Sequence, residues 1–107
     1  MPPLENNPWR LSHSAEFIVQ LKLWIRQAAQ IGISQELIAG IKHIHENLQS
    51  QPLEWGDPLH RLKHLNLLIC HRLYRRIYTT YGVHENEHTV FIQHIRLISG
   101  HPLSDDD

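Results

Sequence analysis

The chain has 107 residues, of which 41% are hydrophobic and 20% charged, a size that fits one domain and excludes two. Its single cysteine excludes an internal disulfide and a zinc site built from several cysteines. No apolar run approaches the roughly 20 residues of a membrane helix, and the polar N-terminus lacks a secretory signal. We therefore expect a cytoplasmic single domain over residues 1–107, without membrane contact and with flexible tails at 1–8 and 100–107.

Basic residues are concentrated in one part of the chain. The formal net charge is −1 with neutral histidines, although ten histidines make the charge depend strongly on pH. No carboxylate occurs between Pro58 and His84, and this window contains half of the lysines and arginines. The distribution of charge, rather than its total, therefore indicates where a polyanionic partner would bind.

Two amphipathic helices are predicted in the N-terminal half. The apolar residues of 15–31 form one helical stripe, and Ser12 or Ser14 would cap the exposed N–H groups at its start. Gly32 occupies the position of a left-handed C-terminal cap. The second helix covers 34–51, before Pro52 prevents its continuation. The short link between the two helices predicts an antiparallel helical hairpin.

Beyond a loop at residues 51–58, the apolar pattern changes to a period of two, which is typical of strands. The predicted strands are residues 65–74, 76–83 and 89–98, with a polar hairpin loop at 84–88. Residues 9–12 are either a short additional strand, which we favour, or the entry to the first helix. The sequence therefore predicts an α+β fold, in which the helical hairpin packs on one face of a three- to four-stranded antiparallel sheet. The other face is expected to stay open.

Alternation along the strands assigns polar side chains to that open face. The assigned residues are Arg72, Tyr74, Arg76, Tyr78, His94 and Arg96. Guanidinium groups bind phosphates with two hydrogen bonds, and phenol rings offer stacking surfaces to unpaired bases, so RNA is the natural ligand. The assignment depends on an unbroken register, because a bulge would turn later residues to the opposite face, and Val90 and Ile92 share the parity of His94 and Arg96.

A metal-independent cleavage of RNA would use the 2′-hydroxyl as nucleophile, with a base, an acid and a cation to stabilise the phosphorane. His94 is the candidate base or acid, Tyr78 a second proton donor, and the arginines at 72, 76 and 96 the electrostatic clamp. Further candidate contacts to nucleic acid are Arg61, Lys63, Arg72, Tyr74 and Arg75. The alternative is a solvated sheet face whose arginines lie over aromatic rings without a catalytic role.

Neither a metal nor a cofactor is expected. His60 and His64 have the i, i+4 spacing of a helical metal pair, but they fall at a predicted junction between loop and strand, and no third ligand can be named. Cys70 is expected to be a small buried apolar residue rather than a nucleophile.

Several segments between residues 9 and 99 resemble the RelE/ParE superfamily of bacterial type II toxins. The segments that carry the resemblance are Gly-Asp-Pro-Leu-His-Arg-Leu at 56–62, Tyr-Gly-Val-His-Glu at 81–85, Val-Phe-Ile at 90–92 and Ile-Arg-Leu-Ile at 95–98, after a helical hairpin of similar length. The resemblance implies a sheet packed by two helices, a concave open face, and an antitoxin segment wrapped around the toxin. It also implies either ribosome-dependent mRNA cleavage or gyrase poisoning as the activity.

The predicted function is therefore that of the toxin of a type II toxin–antitoxin system, with mRNA cleavage as its chemistry. Such toxins are usually strongly basic, whereas this sequence has a pI near 6.8. The alternative is a toxin-fold binding module without catalytic activity, or a ParE-type inhibitor of gyrase. Fold resemblance alone does not decide among these functions.

Overall fold

A computed structural model describes residues 8–104 of the chain. In chain order the elements are β1 (Arg10–Ser12), α1 (Ala15–Gln30), α2 (Ser34–Ser50), α3 (Pro52–Trp55), β2 (Asp57–Leu62), a 3₁₀ turn (Lys63–Leu65), β3 (Leu67–Tyr74), β4 (Ile77–His84) and β5 (Thr89–Leu97).

The two long helices form where the apolar stripes predict them. The Ser14 hydroxyl caps α1 by accepting a hydrogen bond from the backbone N–H of Phe17, at 3.2 Å. Gly32 has φ +76°, the left-handed conformation expected after the helix end. Pro52, which ends the second stripe, stands at the first turn of the short α3, where its missing N–H has no cost.

The strands form one five-stranded sheet in the order β1, β5, β4, β3, β2. The α+β class is confirmed, but the sheet is mixed rather than antiparallel, because β1 pairs parallel with β5. The loop predicted at residues 51–58 was wrong over most of its length, because α3 occupies Pro52–Trp55 and β2 begins at Asp57. Periodicity missed β2 because it is an edge strand with a register shift between Pro58 and His60, and only at such a position is a strand proline tolerated.

The core lies between the helices and one face of the sheet, which we call the covered face. Residues that pair across neighbouring strands share a face, and the row through Cys70, Tyr81 and Ile92 belongs to the covered face. The opposite row through His71, Thr80 and His94 belongs to the other face, which we call the open face.

Tyr81 is the largest fully buried side chain of the core, and its hydroxyl donates a 2.6 Å hydrogen bond to the carbonyl of Pro52. Burial raises the pKa of Tyr81 above its ordinary value of 10, so the phenol is neutral. Gly56 lies against this hydroxyl so closely that a Cβ there would stand 2.3 Å from the Tyr81 oxygen and 3.0 Å from the carbonyl oxygen of His71. Burial also raises the pKa of Cys70, which is 1% exposed and therefore holds an unreactive thiol.

Beyond β5 the chain turns back over the sheet end. The N–H of Ile98 donates to the carbonyl of Arg76, and Leu103 packs against the core. Of the two predicted tails, residues 1–7 and 105–107 lie outside the described residues. Among residues 8–104, no helix is long and apolar enough to cross a membrane.

Candidate active site on the open sheet face

The last strand brings His94 and Arg96 to the open face by means of a bulge. Thr80 pairs with His94 and Tyr81 with Ile92, so Gln93 is an extra residue that reverses the alternation. Ile92 therefore packs into the core, whereas His94 and Arg96 face away from the helices. The open-face assignment of these two residues is confirmed, as is that of Tyr78, which pairs with Arg96.

The open-face assignment of Arg72 and Tyr74 is wrong. Arg72 pairs with Thr79 on the covered face, donates to the carbonyl of Trp55, and holds its guanidinium carbon 5.3 Å from the Trp55 ring centre. The Tyr74 ring stacks on His43 of α2, with ring centres 4.1 Å apart. Both side chains belong to the covered face, where α3 supplies a partner for Arg72 and α2 a partner for Tyr74, and Arg72 remains exposed there.

Arg75 and Arg76 form the two-residue turn between β3 and β4, where both have left-handed backbones, with φ +51° and +66°. This conformation suits asparagine and glycine, so the arginines carry strain at the turn. Arg75 lies over the Tyr74 ring, and Arg76 packs against Gly100 beside a cavity of about 250 Å³ next to the start of α2. The open-face assignment of Arg76 is therefore also wrong.

Arg61 and Lys63 lie apart from the open-face residues described above. Arg61 pairs with Leu68 on the covered side of the edge strand β2, and Lys63 begins the 3₁₀ turn beyond the far end of β3. Both side chains are exposed.

Two adjacent rows of side chains cross the open face. Asp57, His71, Thr80 and His94 stand opposite one another on four strands, and Leu73, Tyr78 and Arg96 form the next row. Opposed residues have Cβ atoms about 5 Å apart, so the two rows make one continuous patch. We call His71, Tyr78, His94 and Arg96 the open-face cluster.

A hydrogen bond joins two titratable groups within this cluster. Nδ1 of His71 lies 2.8 Å from the hydroxyl of Tyr78, and the two rings meet edge to face at 83°. In the tautomer with hydrogen on Nδ1, the imidazole donates to the phenol oxygen and Nε2 is free to accept a proton. Arg96 lies over the ring of Tyr78, with its guanidinium carbon 5.2 Å from the ring centre.

The two imidazoles stand on either side of the β4 strand. His71 and His94 are each paired with Thr80, and a strand spacing of about 4.8 Å puts their backbones about 10 Å apart. A shallow depression of about 300 Å³ opens beside His71, and its lining consists of Asp57, His71, Arg72, Leu73 and Tyr78. His94 and Arg96 do not line this depression but lie beyond β4 on the same open face.

Sequence periodicity missed His71, the residue that links Tyr78 to the other side of the site. The turn contained the signal that would have found it: a two-residue turn at Arg75–Arg76 fixes Tyr78 opposite Leu73, on the same face as His71. The same register excludes Arg72 from that face.

His60 and His64 do not share one helix, because His60 belongs to β2 and His64 to the 3₁₀ turn. Between residues 8 and 104, no three or more His, Cys, Asp or Glu side chains gather into a possible metal site. Comparisons with protein-family models, curated proteins and solved structures found no match for the chain.

Proposed function

We propose that the protein is a toxin of the RelE/ParE kind that cleaves mRNA without a metal ion, using the open-face cluster. The observation that carries the proposal is the 2.8 Å contact between His71 and Tyr78 with Arg96 over the same phenol ring. A histidine hydrogen-bonded to a tyrosine, with a cation beside them on an uncovered surface, supplies the kinds of groups that acid–base sites use. The resemblance of the sequence segments to RelE/ParE toxins favours RNA as substrate and the cytoplasm as location.

In the proposed reaction, Nε2 of His71 accepts the proton of the substrate's 2′-hydroxyl, and the 2′-oxygen bonds to phosphorus. The bond from phosphorus to the 5′-oxygen breaks, and protonated His94 gives this oxygen a proton. Arg96 stabilises the added negative charge of the phosphorane, and Tyr78 holds the His71 tautomer that leaves Nε2 free. The products are a 2′,3′-cyclic phosphate and a 5′-hydroxyl.

The partners in this proposal are mRNA on the ribosome and a cognate antitoxin. An antitoxin segment that covers the open face would block access of RNA to both imidazoles. Expression of the chain alone should therefore arrest bacterial growth, and coexpression of the antitoxin should relieve the arrest.

The test combines growth with cleavage of RNA by the purified protein, alone and with ribosomes, in the presence of EDTA. We expect growth arrest and cyclic-phosphate products from the unmodified protein, and loss of both in the double variant His71→Ala/His94→Ala. His64→Ala, which removes an exposed histidine outside the cluster, is the matched control and should stay active. Normal growth together with intact RNA under all these conditions would reject the enzyme.

A noncatalytic binding module, such as a gyrase inhibitor, is the second candidate. One observation favours it: of the three arginines predicted as a phosphate clamp, only Arg96 lies on the open face. Growth arrest that persists in the double histidine variant, together with loss of gyrase supercoiling activity in vitro, would support this candidate against the nuclease.

A further inference from the structure

The outer side of α1 carries a stripe that differs from its core side. Trp24 and Ala28 are buried on the core side, whereas Val19 and Leu23 are 65% and 40% exposed. The stripe consists of Glu16, Val19, Leu23, Arg26 and Gln30, all of them exposed. Its steps of three, four, three and four residues are those of a coiled-coil seam.

The order of residues in this stripe is self-complementary. An acidic residue lies at one end, two aliphatic residues lie in the middle, and a basic residue lies toward the other end. When two such helices run antiparallel about a two-fold axis near Leu21, each Glu16 meets Arg26 of the partner subunit. Val19 then meets Leu23 of the partner subunit, and each of these contacts occurs twice.

We propose that the protein forms a two-fold symmetric dimer in which α1 pairs antiparallel with α1 of a second copy. The dimer covers two exposed aliphatic side chains in each copy and places two pairs of opposite charges at the ends of the seam. Within residues 8–104 of one copy, neither Glu16 nor Arg26 has an ion-pair partner that would compete with these contacts.

The short length of the seam determines the affinity that we expect for the dimer. The 16 residues of α1 span about 24 Å, so the interface is smaller than that of a typical stable dimer. We expect a dissociation constant of roughly 10–100 μM. The seam lies on the helical layer, on the other side of the sheet from the open-face cluster. Dimerisation therefore leaves that cluster accessible and does not depend on the proposed nuclease activity.

The test is a charge-exchange cycle measured by sedimentation equilibrium over a range of concentrations that brackets this value. E16R and R26E should each weaken the dimer by about tenfold or more, because each puts two like-charge pairs at the seam. The double variant E16R/R26E should recover the dimer, because it restores both pairs with their signs exchanged. The control E46R reverses an exposed charge on α2 and should leave dimerisation unchanged.

Thermal unfolding of every variant, followed by circular dichroism, separates loss of the dimer from loss of the fold. E16R removes an acidic residue from the first turn of α1 and should lower the melting temperature slightly in both variants that contain it. If E16R/R26E recovers the dimer but keeps the lower melting temperature of E16R, the two charge pairs at the seam stabilise the dimer itself. A chain that stays monomeric at all concentrations, or a double variant as weak as the single ones, would overturn the proposal.

Discussion

Two arginine–aromatic contacts of nearly equal length lie on opposite faces of the same sheet. Arg72 lies 5.3 Å from the ring centre of Trp55 on the covered face, and Arg96 lies 5.2 Å from that of Tyr78 on the open face. Trp55 is 5% exposed, and its carbonyl accepts a hydrogen bond from Arg72. Tyr78 instead connects Arg96 to a histidine that can exchange a proton. The surroundings of the pair, rather than its geometry, separate a structural contact from a candidate site.

Replacement of each arginine tests this comparison most strongly. Arg96→Ala should lower kcat/KM for RNA cleavage by about a hundredfold, because the phosphorane loses its cation. Arg72→Ala should leave cleavage unchanged and lower the free energy of unfolding in urea by about 1–2 kcal/mol, because its contacts to Trp55 are lost. Equal effects of both variants on cleavage would remove the distinction between the two faces.

The two tyrosines of β4 extend the comparison to hydroxyl groups. Tyr81→Phe should cost about 1–3 kcal/mol of unfolding free energy, because the buried carbonyl of Pro52 loses its donor, and should leave cleavage unchanged. Tyr78→Phe keeps the ring under Arg96 but removes the partner of His71, and should slow cleavage by about tenfold without a comparable loss of stability. The measurements are the free energy of unfolding in urea and the cleavage rate, each determined for both variants.

Alkaline pH provides a test specific to the covered face. Because burial raises the pKa of Tyr81, the folded chain keeps a proton that the unfolded chain releases above pH 10. The contribution of protonated Tyr81 to the stability of the fold is therefore complete below pH 10 and declines as the pH rises further. Tyr81→Phe should flatten this decline in the free energy of unfolding measured from pH 9 to 12. A decline of the same steepness in the Tyr81→Phe variant would contradict this assignment.

The strained turn gives the smallest expected effect. The double replacement of Arg75 by Asn and Arg76 by Gly should raise the free energy of unfolding by about 1 kcal/mol, because both positions have left-handed backbones. Neither guanidinium lies in the open-face cluster, so cleavage should be retained. The sequence-based assignment of Arg76 as catalytic predicts the opposite, and the same cleavage assay distinguishes the two.

Local patterns predicted the helices well, because caps and apolar stripes depend on neighbouring residues. Ser14 and Gly32 act at the helix ends as their chemistry suggests. The faces of the strands depend on distant contacts, which alternation alone does not contain. Arg72 was assigned to the wrong face because the two-residue turn that sets its register was not recognised. Its partner Trp55 lies 17 residues away on a helix that no periodicity predicted.

The candidate site was predicted only in part, for the same reason. Tyr78, His94 and Arg96 were assigned to the open face correctly, although the reversal of alternation at Gln93 is visible only in the strand register. His71 escaped notice because it belongs to the row of β3 that looked apolar in sequence. Its role becomes visible when the turn fixes which residues of β3 and β4 oppose each other.

The absence of a side chain at Gly56 allows the covered face to pack closely against the backbone of His71, whose side chain belongs to the open face. The Cα of Gly56 fits between the hydroxyl of Tyr81 and the backbone of His71, where even a methyl group would have to displace one or both. A side chain at this position would therefore displace the Tyr81 hydroxyl or the β3 backbone at His71, whose imidazole belongs to the open face. The backbone that carries an open-face imidazole thus depends on a glycine in the packing of the covered face.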